Sequence, residues 1–203
     1  MNRFRAIGAA VGLLLLCASL AAGASDAQNA FDKGVAYFNE ADYARAITEY
    51  GKVISLKPDF PDAYYYRGIS YYKTGKYDEA IGDFNMAASL YPQPHDPELY
   101  HNRGLAYFKK DNYTKAVEDF GKAISLKPDF AEALHNRGVA QSRKGSYDEA
   151  IEDFNKAISV RPGYMDAYYS RGVAYTRKAA ADFRKVCDTG NKNACDNAKQ
   201  LAE

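Results

Sequence analysis

Any chemistry in this 203-residue chain would have to start from three histidines, His95, His101 and His135, from three cysteines, Cys17, Cys187 and Cys195, or from its paired carboxylates. Cys187 and Cys195 bracket seven residues in the string CDTGNKNAC. Two cysteines cannot fill the four positions of a structural zinc site, and no histidine lies near them in sequence. There is no Cys-x-x-Cys motif, which argues against a thiol oxidoreductase. The serines have no paired His-Asp pattern, and no phosphate-binding loop is present. Acidic pairs such as Asp78-Glu79 and Asp148-Glu149 stand where helices are expected to start. Carboxylates favour the positive end of a helix, so that role is sufficient for them. None of the roles an active site needs is filled, and the sequence predicts no enzyme, no cofactor and no metal centre.

What positions these residues is a repeat. A Gly, a Tyr three residues on, an Ala nine after that, an aromatic four further and a closing Pro recur in order. They read Gly34, Tyr37, Ala46, Tyr50, Pro58; then Gly68, Tyr71, Ala80, Phe84, Pro92; then Gly104, Tyr107, Ala116, Phe120, Pro128; then Gly138, Gln141, Ala150, Phe154, Pro162. The Gly-to-Gly steps are 34, 36 and 34 residues, and Gly172 follows Gly138 by 34. His101 and His135 are repeat equivalents, hence about one repeat apart in space and too far apart to share a metal.

One unit shows why it would fold as a helix pair. Tyr100, Gly104 and Tyr107 fall at spacings of four and three and share one helix face, as do Ala116, Phe120, Ala123 and Ile124 in the next helix. Gly104 and Ala116 let the two helices approach while the rings fill the gaps, and Pro128 stops the second helix. A single pair cannot bury both its faces, so stacking is obligatory. An Arg before the Gly and an Asp before the Phe recur as Arg67 with Asp83, Arg103 with Asp119 and Arg137 with Asp153. In an antiparallel pair they stand at similar height, as alignment devices expected to contribute about 1 kcal/mol or less each if exposed.

The 34-residue period and the landmark order resemble the tetratricopeptide repeat (TPR), over roughly Ala27 to Cys187. Two slots depart from the family's pattern. Its Trp position holds Ala30, Tyr64, Tyr100, Leu134 or Tyr168, and its Leu before the Gly is Lys33, Arg67, Arg103, Arg137 or Arg171. The resemblance implies an all-α protein, a right-handed α-solenoid of stacked antiparallel helix pairs with an atypical C-terminal cap. Repeats are expected over residues 27–60, 61–94, 97–130 and 131–164, with 165–203 a degenerate fifth repeat plus a capping helix.

The family resemblance further implies a protein or peptide partner in a concave groove lined by the first helix of each repeat. Transferred by position, the second repeat offers Tyr65, Ile69, Tyr72 and Lys73, and the third His101, Leu105, Phe108 and Lys109. The fourth offers His135, Val139 and Arg143, and the fifth Tyr169 and Arg177. Tyr65, Tyr72, His101, Phe108 and His135 would be apolar anchors beside a ladder of cations, suited to a segment with apolar anchors and acidic flanks. The competing reading is that the rings pack between helices and the cations only solvate a rim. The family's carboxylate clamp for chaperone tails needs Lys and Asn where this chain has rings, His and aliphatics, which disfavours that ligand. A second functional class stays open, a structural subunit of an envelope complex that docks through the solenoid ends or convex face.

In the fifth unit the segment matching Gly145 to Glu152 is replaced by Ala179-Ala180-Ala181 before Asp182-Phe183. Gly172, Tyr175, Ala179, Phe183 and Val186 then continue one face, which predicts an unbroken helix from about Asp166 to Asp188. Thr189-Gly190 supplies a stop and Asn191 an N-cap for a last helix, Lys192 to Leu201. The cysteines around this turn resemble the disulfide-closed hairpins of Sel1-like secreted repeat proteins, and that resemblance implies a Cys187–Cys195 bridge. Between the second and third repeats, YPQPHDPE adds two residues, read as a longer turn.

At the start, Arg3 and Arg5 precede an apolar run from Ala6 to Leu20, and Ala22-Gly23-Ala24 supplies small residues for cleavage. Residues 1–24 read as a secretory signal peptide, with an uncleaved anchor as the alternative. Cys17 follows Leu16, where a lipobox wants a small residue. Without Arg3 and Arg5, 27 basic residues become 25 against 26 acidic, a net charge of −1 that argues against a nucleic-acid partner. Without Cys17, two cysteines remain, an even number suited to an oxidising periplasmic or extracellular compartment. No stable membrane span is expected after cleavage.

Overall fold

The landmarks fold into antiparallel helix pairs. The structure, a computed structural model, describes residues 25–91 and 96–201. The expected signal peptide, and residues 92–95 of the proline-rich insertion, lie outside the described residues. Among the described residues all regular structure is helical. The chain divides into two units at Gln93 and Pro94. The first holds α1 (25–39), α2 (Tyr43–Leu56), α3 (Pro61–Lys73) and α4 (Tyr77–Leu90). The second holds α5 (Pro97–Lys109), α6 (Tyr113–Leu126), α7 (Ala131–Lys144), α8 (Tyr147–Val160), α9 (Met165–Cys187) and α10 (Lys192–Gln200).

Within a pair the chain reverses through one left-handed residue: Ala41, Gly75, Asp111 or Gly145, with φ of 59°, 78°, 56° and 86°. The next amide then donates back to a carbonyl five residues earlier, as in Asp42 to Tyr37 at 2.8 Å and Asn112 to Tyr107 at 3.0 Å. Pairs stack because each helix packs on both sequence neighbours within its unit. In the second unit α5 also meets α7, and α7 meets α9, whereas α6 and α8 make no comparable contact. Successive first helices of that unit therefore meet along one side of the stack.

The tightest contact in each intact pair is glycine against ring. A Cβ on Gly34 would lie 2.6 Å from Tyr50, on Gly104 2.8 Å from Phe120 and on Gly138 2.7 Å from Phe154. Those rings are fully buried, among alanines such as Ala46, Ala116 and Ala150. Beside each contact the arginine and aspartate form a two-pronged pair. In Arg67–Asp83, Arg103–Asp119 and Arg137–Asp153, Nε donates to Oδ2 at 2.7 Å in every case. Nη2 donates to Oδ1 at 2.7–2.8 Å. The pairing is the one expected from sequence, but it is not exposed, for the aspartate side chains are only 3–8% accessible. Removing one partner of such a buried pair costs about 3–5 kcal/mol, because the other charge is left uncompensated. The arginine also reaches the preceding pair, with Arg137 Nη1 3.7 Å from a Cβ position on Gly121 of α6.

The fifth repeat has no second helix of its own. Residues 178–182 are helical, and α9 runs through the place where the other repeats turn. An alanine at the turn position does not explain this, since Ala41 makes the turn in the first repeat. The cause is the missing segment, which in the other repeats carries the reversal and the start of the second helix. Asn191 caps α10 by accepting from Ala194 N at 3.1 Å, and Gly190 adopts φ 92° between α9 and α10. In consequence nothing lies within 4 Å of a Cβ on Gly172.

Two alanine substitutions should therefore act in opposite directions. Gly138→Ala pushes a methyl into Phe154 and toward the Ala150 carbonyl at 3.0 Å, and should cost about 1–3 kcal/mol. Gly172→Ala meets open space in mid-helix and should stabilise by about 0.5–1 kcal/mol. Urea unfolding of both variants beside the wild type, at a protein concentration where the chain is monomeric, reads the two signs; a destabilised Gly172→Ala there would mean that its slot is already filled within the chain.

Candidate partner-binding face

In the first, third and fourth repeats the residue three before the glycine is held by two rings of its own repeat. Phe31 packs on Tyr50 at 5.7 Å and Phe60 at 5.2 Å. In the second unit His101 packs on Phe120 at 5.7 Å and Phe130 at 4.8 Å, and His135 on Phe154 at 5.7 Å and Tyr164 at 5.1 Å. The second of these rings always follows the closing proline by two residues, a role that the sequence pattern did not reveal. Its clue was visible, in Pro-x-aromatic at Phe60, Phe130 and Tyr164.

His101 and His135 accordingly work inside the stack. His101 is only 9% accessible, so the structure corrects its reading as an open anchor. Asn136 Nδ2 lies 2.9 Å from His101 Nε2, and Ser170 Oγ 3.0 Å from His135 Nε2, so each ring ties one repeat to the next. Burial pushes the His101 pKa down to about 4, opposed weakly by Glu132, and burial lowers that of His135 too. His101 is therefore neutral at pH 7, and Glu98 Oε2, 3.9 Å from its Nδ1, forms no ion pair there.

The other expected residues divide. In the first unit Tyr65, Ile69 and Tyr72 are half-buried, with Tyr65 against Phe84 at 6.1 Å and Tyr72 against Tyr77 at 5.6 Å. Lys73 is exposed. In the second unit Leu105 and Phe108 are half-buried, Phe108 against Tyr113 at 5.3 Å, and Lys109 is exposed. These rings thus serve packing within their own helix pair as well as lining a face.

Four expected residues do come together. Val139 and Arg143 of α7 and Tyr169 and Arg177 of α9 line an open cleft of about 230 Å³ along the side where the first helices of the second unit meet. Phe154 forms part of its lining, with Ser142, Ser170 and Val173 completing it. Tyr169 is 77% accessible, while its equivalent His101 is buried. The reason is local: the fifth repeat has neither the second-helix ring nor the Pro-x-aromatic that cover this position elsewhere. The cleft joins an apolar lining to two exposed guanidinium groups, a surface that can hold an apolar side chain and neighbouring carboxylates. Among the described residues no group of His, Cys, Asp and Glu could hold a metal ion, and no helix is long and apolar enough to cross a membrane.

The class so defined is a helical-repeat scaffold. Sequence profiles described as TPR repeat match residues 34–75 and 104–145, and those described as tetratricopeptide repeat match 61–94 and 131–164. The chain belongs to the tetratricopeptide repeat family. Its structure is similar to a crystal structure of MamA protein, with TM-score 0.73 and 27% identity over 88% of this chain and 95% of that one. It is also similar to the second TPR domain of the human RPAP3 protein, solved in complex with the HSP70 peptide SGPTIEEVD. There the TM-score is 0.53 and identity 28%, over 57% of this chain and 98% of that one. YrrB, described as a TPR protein with an unusual peptide-binding site, shares the fold at 22% identity and TM-score 0.68, covering 91% of each chain. No curated protein sequence matches the chain.

The buried imidazole makes stability depend on pH. The His101 pKa is lower in the folded chain than the usual 6.5, so the unfolded chain binds more protons between about pH 6.5 and 4. Stability is intact above that window and falls as pH drops through it. Between pH 7 and pH 5 the wild type should lose about 2 kcal/mol more than His101→Gln in urea unfolding. Equal losses would refute a neutral, buried His101.

Proposed function

We propose that this protein is an exported, non-enzymatic scaffold that binds a peptide or protein segment on the α7–α9 face, the segment carrying an apolar anchor next to acidic residues. The observation that carries this reading is the cleft in which exposed Tyr169 stands with Val139 and Val173 beside Arg143 and Arg177. Support for a peptide ligand comes from RPAP3, whose TPR domains were solved with the peptides SGPTIEEVD and SRMEEVD. Lys109 is exposed at the repeat-equivalent position on α5, so the cationic character extends to the third repeat.

Peptides selected from a random displayed library against the purified protein should combine an aromatic or aliphatic residue with nearby Glu or Asp. Tyr169→Ala should weaken a selected peptide by about tenfold or more without lowering the melting temperature, since the ring is mostly exposed. Arg143→Glu with Arg177→Glu should remove the acidic preference. Selected peptides without acidic residues, or affinity indifferent to all three changes, would place the binding surface elsewhere.

Export is supported by the pattern of residues 1–24 and by Cys187 and Cys195, an even number of cysteines after cleavage, in a hairpin resembling Sel1-like repeats. The processed chain should begin at Ser25 and be recovered from the cell envelope fraction or medium, with Cys187 and Cys195 resistant to alkylation until reduced. Cys195→Ser should then cost about 2–3 kcal/mol, as expected for opening a short loop. An unprocessed chain with two alkylatable thiols would overturn this part.

The alternative, an assembly subunit that docks through the end of the stack, has one observation in its own favour. Tyr168, Tyr175 and Val186 are all exposed on α9.

A further inference from the structure

The fifth repeat keeps one half of an interface whose other half is missing from its usual place. In three intact repeats an Arg-Gly pair on the first helix meets an Asp-Phe pair sixteen residues on. Arg171-Gly172 is the next such pair, but sixteen residues on stand Cys187 and Asp188, at the far end of the same helix. Arg171 turns instead to Asn155 of α8, donating from Nη1 at 2.6 Å. Gly172 opens on a hollow of about 480 Å³ bounded by Tyr168, Thr176 and Leu201, which adjoins the α7–α9 cleft through Tyr169, Val173 and Arg177. Tyr168 is 41% accessible, whereas its equivalents Tyr64 and Leu134 are 8% and 2% accessible and Tyr100 is half-buried.

The other half is present in the chain, further along the same helix, where Asp182 is exposed and Phe183 half-buried. Ala179-Ala180-Ala181-Asp182-Phe183 has the spacing of Ala80 to Phe84, Ala116 to Phe120 and Ala150 to Phe154. It follows Arg171-Gly172 by eleven residues, close to three helical turns, so both halves lie on one face of α9 about 16 Å apart. A straight helix cannot fold its second half onto its first. Two copies can do it for each other.

We propose that the protein self-associates by antiparallel pairing of α9 with α9 of a second copy about a two-fold axis. Phe183 of each copy fills the Gly172 slot of the other, and Asp182 of each meets Arg171 of the other. The match is reciprocal, as a two-fold interface requires. It also sets large against small, because Tyr175 of one helix falls opposite Ala179 of its mate. The rest of the face fits this use: Tyr175 and Val186 are 54% and 46% accessible on the same stripe. Asp182 is exposed, its carboxylate 3.3 Å from Lys185 and within electrostatic reach of Lys178 on the same helix. α10 packs on α9 through Ala194 and Ala198 and leaves Tyr168, Tyr175 and Val186 accessible. The joint is a copy in trans of the interface that the chain already builds within its intact repeats, and it completes the fifth one.

The test is sedimentation equilibrium of the purified protein and of two variants, with melting temperatures measured at low concentration. The wild type should form a concentration-dependent dimer. Gly172→Ala is harmless to one copy but sets a methyl against the incoming ring, and should weaken the dimer by about tenfold or more while the isolated chain melts no lower. Asp182→Arg should do the same by placing like charges together. A wild type that stays monomeric at every concentration, including one that captures an unrelated helix on α9, overturns the proposal. So does a dimer that either variant leaves unchanged.

Discussion

The structure depends on the absence of a side chain. Where the two helices of a repeat come closest, a glycine faces the ring of a phenylalanine or tyrosine sixteen residues later, at a distance that leaves no room for a methyl group. This contact sets the separation of the helices, and the separation decides what else can meet. The aspartate one residue before the ring then lies within hydrogen-bond reach of the arginine one residue before the glycine. Small alanines, not large aliphatics, fill most of the remaining buried positions. A core of alanines and one ring per repeat is thin by itself, so the buried ion pair and the ring contacts carry a large share of the register.

The same geometry explains the polar residues between repeats. A histidine three residues before the glycine is driven between two rings and loses its solvent, which keeps it neutral. A neutral imidazole can accept a hydrogen bond from the next repeat, and Asn136 supplies one to His101. What looked like chemistry at the level of residue type is a joint. An aromatic ring is offered to the outside at the groove position where the repeat rule fails. In the fifth repeat the loss of one short segment leaves Tyr169 uncovered, Gly172 unfilled and Arg171 without a carboxylate across the helix pair.

The helix pairs, their stacking and the family were legible in the sequence because a repeat states its rule several times over. Five glycines in step, with rings at fixed distances, leave little freedom in the choice of fold. The unbroken stripe from Gly172 to Val186 was legible for the same reason, since helical periodicity is a local property of spacing. The sequence by itself thus determined which residues face one another inside a repeat. It did not determine their degree of burial. The arginine-aspartate pairs read as surface contacts because charged residues are usually exposed, and the stack turned them inward by covering them with the neighbouring repeat. His101 and His135 read as groove residues by position, and only the tertiary packing of Phe130 and Tyr164 showed the first buried and the second half-buried. Accessibility belongs to the sum of several elements, none of which carries it alone; that is why Tyr169 and His101, equivalent in sequence, end on opposite sides of the boundary between surface and core.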